Sequence, residues 1–201
     1  MIAWAAPIFR GAIALALAMV ITFSADHSAA LGIATLGIFG ISSGASMGAV
    51  AMRSPRSVTR SIQFLNAIVA IAVGTGALIT IAAGFTALAA LIALVATFAV
   101  ITGSLELFCG FRERGENASA RDWSVVGAAT LALALAVLVI PPDFVQQFSG
   151  PDGVARELTA SVIIVGLLSA YLAVVGVYLA IAGLSLKWAD QPVNVKKAEG
   201  S

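Results

Sequence analysis

Two charges fall inside long apolar stretches of this chain, Arg10 and Glu106, and they hold most of its available chemistry. Glu106 lies six residues before Arg112, which places it roughly 9 Å inward along a helix rising ~1.5 Å per residue. A charge at that depth in a bilayer costs on the order of 2 to 3 kcal/mol on insertion scales, so it calls for a partner, a proton or a water-filled cavity. Arg10 sits at comparable depth in the first apolar run and is the natural partner. Three uses follow from the chemistry: a buried Arg10–Glu106 pair that fixes helix packing, a protonatable gate or ligand-binding carboxylate, or two side chains that snorkel to the interface.

The remaining reactive residues are sparse. His27, beside Asp26, is the only histidine, and imidazole is the side chain that changes charge in mild acid, which makes His27 a candidate pH sensor. Cys109 is the only cysteine, so no intramolecular disulfide and no thiol cluster for zinc or iron–sulfur chemistry can form. No Gly-x-x-x-x-Gly-Lys-Ser/Thr, His-Glu-x-x-His or Gly-x-Ser-x-Gly sequence occurs. The expectation is a non-enzymatic protein with no catalytic residue, no metal and no cofactor. Formal net charge is +1, which offers no footprint for nucleic acid.

The elements that carry these residues are membrane spans. Between Arg60 and Glu106 the chain runs 45 residues without an ionisable side chain, too long for one crossing and about right for two. A bilayer core of ~30 Å needs ~20 apolar residues per helix. Hydrophobic residues make up 60% of the chain and charged residues 10%, against roughly 25% charged in a soluble domain. The uncharged runs give six spans: Trp4 to Ser24, Ser28 to Met52, Ile62 to about Ala82, about Thr86 to Phe111, Asp122 to Ile140, and about Leu158 to Leu186. Ala83-Gly84-Phe85 is the expected turn between the third and fourth, and Pro141-Pro142 stops the fifth. Backbone groups in lipid need internal hydrogen bonds, and the runs lack the alternation of barrel strands, so each span is helical. The fold class is therefore all-α, one transmembrane domain over residues 1–188 with a flexible cytoplasmic tail over 189–201. The first 24 residues also resemble a secretory signal, but the segment before Arg10 is apolar rather than basic, and retention is expected.

Ten of the eleven basic residues fall on one side of this topology, including Arg53, Arg56 and Arg60 after the second span and Arg112, Arg114 and Arg121 after the fourth. The positive-inside rule then places both termini in the cytoplasm. Asp26, His27, Asp143, Asp152 and Glu157 face outward. The partners implied are the lipid bilayer and, where a face meets protein, a second copy or a larger membrane complex.

Gly37, Gly40, Gly44 and Gly48 line one face of the second span and allow another helix to approach closely. Packing inside the bundle and a subunit interface are both compatible with that face. The helical hairpins also look repeated: Phe39, Gly44 and Arg53 recur at identical spacing as Phe98, Gly103 and Arg112, with Arg60 answered by Arg121 and a fainter third copy in Tyr178, Gly183 and Lys187. The polarity of Asn66, Thr75, Thr80 and Tyr171 reads as scattered within the third and sixth spans.

The segment Phe98-Ala-Val-Ile-Thr-Gly-Ser-Leu-Glu-Leu-Phe-Cys-Gly-Phe-Arg112, followed by a polar loop and Trp123, resembles the HdeD-like acid-resistance membrane proteins, with the Gly103, Glu106 and Arg112 pattern the part most like them. The resemblance implies six transmembrane helices in a bacterial inner membrane, a role in protection during acid stress, and no reaction. An extended outer loop from Pro141 to Glu157 and a first outer turn without proline depart from that pattern. An accessory subunit of a larger membrane complex and a small-molecule or lipid transporter are the alternatives. The last requires a polar cavity that reaches Glu106.

Overall fold

Six helices form where the uncharged runs demand them. The computed structural model describes residues 4–149 and 155–189, in the order α1 (Ala5–Phe23), α2 (Ala29–Arg53), α3 (Val58–Ala82), α4 (Leu88–Arg112), α5 (Ala120–Val139), β1 (Val145–Ser149), β2 (Ala155–Thr159) and α6 (Ala160–Ala189). All six helices are long and apolar enough to cross a bilayer, so the chain is an integral membrane protein and an all-α bundle. The charged tail beyond residue 189 and Asp152 lie outside the described residues.

Local chemistry sets the ends. Ser28 and Ser57 cap α2 and α3, their hydroxyls accepting from the amides of Leu31 and Arg60. Helix α3 begins four residues before the apolar run does, because this cap and Thr59, whose hydroxyl donates to the Glu113 carboxylate past the end of α4, support a polar first turn. At the α3–α4 turn, Gly84 takes φ +79°, the Phe85 amide bonds back to the Thr80 carbonyl and the Gly84 amide to that of Ile81. That double reach is a Schellman cap, and the left-handed residue at its centre favours glycine.

A difference from the sequence reading lies between α5 and α6. Part of the extended outer loop expected from Pro141 to Glu157 is an antiparallel β-hairpin, with Val145 opposite Thr159 and Gln147 opposite Glu157. Strand β1 is exposed along its whole length, so the hairpin stands outside the bundle core, and β2 runs directly into α6.

The helices close into a ring in which α2 packs most intimately on α3, α4 on α5, and α6 on α1. The three pairs share one register. A Cβ on Gly44 would meet the Ala67 carbonyl and the Ile71 amide; on Gly103, the Gly127 carbonyl and the Leu131 amide; on Gly176, the Gly11 carbonyl and the Leu15 amide. Each time the second atom is four residues beyond the first, one helical turn along the partner. Five residues before each of these glycines stands an aromatic ring, and the three rings meet where α2, α4 and α6 converge: Phe39 packs edge-on against Phe98 at 6.0 Å and against Tyr171 at 6.2 Å. Within α6, then, Tyr171 and Gly176 match Phe39 and Gly44. Tyr178 and Gly183, the pair singled out from the sequence, lie seven residues further on, where Gly183 approaches the Trp4 carbonyl much as Gly110 approaches that of Ala120.

Large side chains on the outside of the ring, among them Phe23, Leu135, Val139 and Val174, are well exposed and form its lipid-facing surface. Trp4, Trp123 and Trp188, all the tryptophans of the chain, sit at the bundle end that holds the start of α1 and the end of α6, with the Lys187 ammonium 4.9 Å from the Trp4 ring. Aromatic residues of this kind favour the headgroup level.

Candidate functional site

The α4 sequence puts Ala99, Thr102, Gly103, Glu106, Cys109 and Gly110 on one face, and that face is buried. Glu106 therefore points inward. Arg10, near the start of α1, meets it from across the ring: Arg10 Nη1 donates to Glu106 Oε1 at 2.5 Å, with the two residues 8% and 4% exposed. The guanidinium carbon also lies 5.9 Å from the centre of the Phe39 ring, within cation–π range, so the cation rests against the aromatic cluster. The pair thus ties α1 to α4, two helices that are not ring neighbours.

Its hydrogen bonding is incomplete. Arg10 Nε, Glu106 Oε2 and Asn66 Oδ1 are buried and find no partner among the described residues. Such atoms cost about 1 to 3 kcal/mol each unless something else satisfies them. All three residues line one cavity of about 130 Å³, which lies between the ion pair and the tryptophan-bearing end of the bundle. Pro7, Met47, Val50, Val126 and Leu179 give it apolar walls, Asp122 and Trp123 stand near the helix ends, and Cys109 lines it one turn from Glu106. The Asp122 carboxylate accepts a hydrogen bond from the Tyr178 hydroxyl at 2.9 Å, which joins α5 to α6 there. On the far side of the ion pair the aromatic cluster and a hydrogen bond of 2.9 Å between the Thr130 and Tyr171 hydroxyls fill the middle of the bundle.

Asn66 is the residue that sequence reasoning undervalued. It reads as isolated polarity in the third span, yet its side-chain Nδ2 donates to the Thr102 carbonyl on α4, and it shares the cavity with Glu106. The available signal was its place eight residues after the start of α3, near the level of a carboxylate six residues before the end of an antiparallel α4.

The other singled-out residues stand apart from this site. Gly37, Gly40 and Gly44 press α2 onto α3, where added Cβ atoms would meet Leu78, Ala70 and Ala67, whereas Gly48 has only an ordinary contact with Ala67. His27 and Asp26 lie at the opposite end of the bundle. The Asp26 carboxylate accepts from the Ser28 amide and hydroxyl within the first turn, and the His27 carbonyl accepts from the Ser161 hydroxyl, which joins that turn to α6.

A ring of six spans, a single buried ion pair among the described residues and a polar-floored cavity at one end define a polytopic integral membrane protein with a one-sided internal site. In comparisons with family models, curated proteins and solved structures, nothing matches this chain.

Proposed function

We propose that this is a non-enzymatic, HdeD-like protein of the bacterial inner membrane that serves in acid stress, with both termini in the cytoplasm. One observation carries the reading: Glu106, at the centre of the Gly103, Glu106 and Arg112 pattern on which the resemblance rests, is the carboxylate that binds α1 to α4 from inside the bundle. Its charge is committed to Arg10 rather than poised over a reacting group, which supports a structural or binding role over a catalytic one. The basic α2–α3 and α4–α5 loops share their end of the bundle with the start of α1 and the end of α6, and this supports the cytoplasmic assignment. The test is survival of a deletion strain after acid challenge, with complementation by the wild type and by Glu106→Gln. Loss of survival restored by the wild type is the expected result; a deletion strain that survives as well as its parent overturns the reading.

A second reading, small-molecule or lipid transport, draws on one observation: the cavity ends on Glu106, as a transport site at that residue requires. Native mass spectrometry of protein extracted gently from its own membranes separates both readings from an accessory subunit. Stoichiometric foreign subunits would favour the latter.

A further inference from the structure

We infer that the cavity above the Arg10–Glu106 pair is a binding site for a small hydrogen-bond donor, a protonated primary amine or a hydroxyl on a body no larger than a benzene ring. The inference stands on the cavity alone, independent of acid stress or of whether the ligand crosses the membrane.

Three properties of the site select this chemistry. The first is the set of atoms awaiting partners: two acceptors, Glu106 Oε2 and Asn66 Oδ1, and one donor, Arg10 Nε, on residues that are 4%, 1% and 8% exposed. An ammonium group satisfies both acceptors, and a hydroxyl donates to Glu106 while accepting from Arg10 Nε. Charge is the second. Arg10 is balanced by Glu106, and Asp122 adds a further negative charge, so the lining itself is net negative and favours a cation over an anion once a ligand is inside the basic rim of the loops. The third is size. About 130 Å³ is close to the ~150 Å³ of an apolar protein cavity that takes up benzene, and the walls of Pro7, Met47, Val50, Val126 and Leu179 suit an apolar body. A polar floor under apolar walls fixes which end of the ligand goes in first.

Cys109 supplies a reporter, being the only cysteine of the chain and part of the cavity lining. Wild-type protein in mild detergent is treated with aminoethyl or sulfonatoethyl methanethiosulfonate, reagents of similar size and opposite charge, and the added mass is followed with time. Rates are normalised to those of each reagent with free 2-mercaptoethanol in the same mild detergent. With one net negative charge in the lining, and Arg112 opposed by Glu113 beside it, the cationic reagent is expected to react several-fold faster. Millimolar benzylamine or benzyl alcohol is expected to slow it, and the same concentration of benzoate is not. Asp122→Asn keeps an acceptor for Tyr178 and is expected to narrow the difference between the reagents. Equal normalised rates overturn the inference, as does equal protection by benzylamine and benzoate, or a thiol that reacts only after unfolding. An ethanolamine lipid headgroup carries the same ammonium chemistry as a free amine. Repeating the reaction in vesicles of phosphatidylcholine alone and with phosphatidylethanolamine identifies the source: slowing only in the second marks the headgroup, and equal rates with benzylamine protection mark a free molecule.

Discussion

Cutting the Arg10–Glu106 pair in two ways gives the sharpest test of the site. Removing one partner leaves the other charge buried and uncompensated, which costs roughly 3 to 5 kcal/mol in protein interiors. Here the pair borders a cavity of about 130 Å³, large enough for several waters, so the stranded charge is partly hydrated and the cost falls at the lower end. Arg10→Met and Glu106→Leu are each expected to lose about 3 kcal/mol, on the order of a hundredfold in the ratio of folded to unfolded protein. The double variant strands no charge, and apolar replacement of a buried pair is often neutral, so it is expected to lie within about 1 kcal/mol of the wild type. The assay is reversible unfolding by SDS titrated into mild detergent. Tryptophan fluorescence is a suitable signal, because Trp4, Trp123 and Trp188 all lie at the end of the bundle nearest the pair. A double variant that loses the sum of the two single losses would refute the reasoning, since the destabilisation would then come from packing and not from a stranded charge.

Further outcomes follow from the ring. Gly127→Ala would drive a Cβ to 2.5 Å from the Leu107 amide nitrogen and is expected to lose about 1 to 3 kcal/mol in the same titration. Gly76→Ala, with nothing within 4 Å of its Cβ, is expected to be neutral or to gain up to about 1 kcal/mol from helix propensity. Tyr171→Phe deletes the 2.9 Å hydrogen bond to Thr130 and is expected to lower stability by about 1 kcal/mol. For the cytoplasmic termini, a C-terminal green fluorescent protein fusion is expected to fluoresce and an alkaline phosphatase fusion to stay inactive; the reverse pattern overturns the orientation.

The spans were legible because a bilayer imposes a length and a solvent on each one, and uncharged runs report both. Glu106 and Arg10 were legible for the same reason, as two charges at matching depth in helices running opposite ways. Other features depended on information that one-dimensional spacing does not hold. Tyr171 and Gly176 are five residues apart, and so are Tyr178 and Gly183, so sequence offers two equal registers for α6. Only the approach of Gly176 to Gly11 and Leu15 shows which copy faces the ring in the register of Gly44 and Gly103. The cavity was invisible because its walls come from all six helices, and Asn66 gained meaning only beside Glu106. The hairpin is hard to read for a different reason. A search for long apolar runs passes over Val145-Gln-Gln-Phe-Ser149, although Gly150-Pro-Asp-Gly153 after it is a turn-forming sequence.

Closing the ring through α1 and α6 has a consequence for how the chain is made. The two ends of the ion pair are 96 residues apart, and ribosomes add ~5 to 20 residues per second, so Arg10 waits roughly 5 to 20 seconds for Glu106 to emerge. The groove of α1 at Gly11 waits longer still, for Gly176. Until then α1 carries an unpaired guanidinium and an unfilled seam, so the first made of these six helices is locked in place only when α6 arrives. An interrupted chain that ends before α4 lacks Glu106, so its Arg10 keeps a charge with no partner in the bundle and such a chain is less stable in the membrane than the finished one.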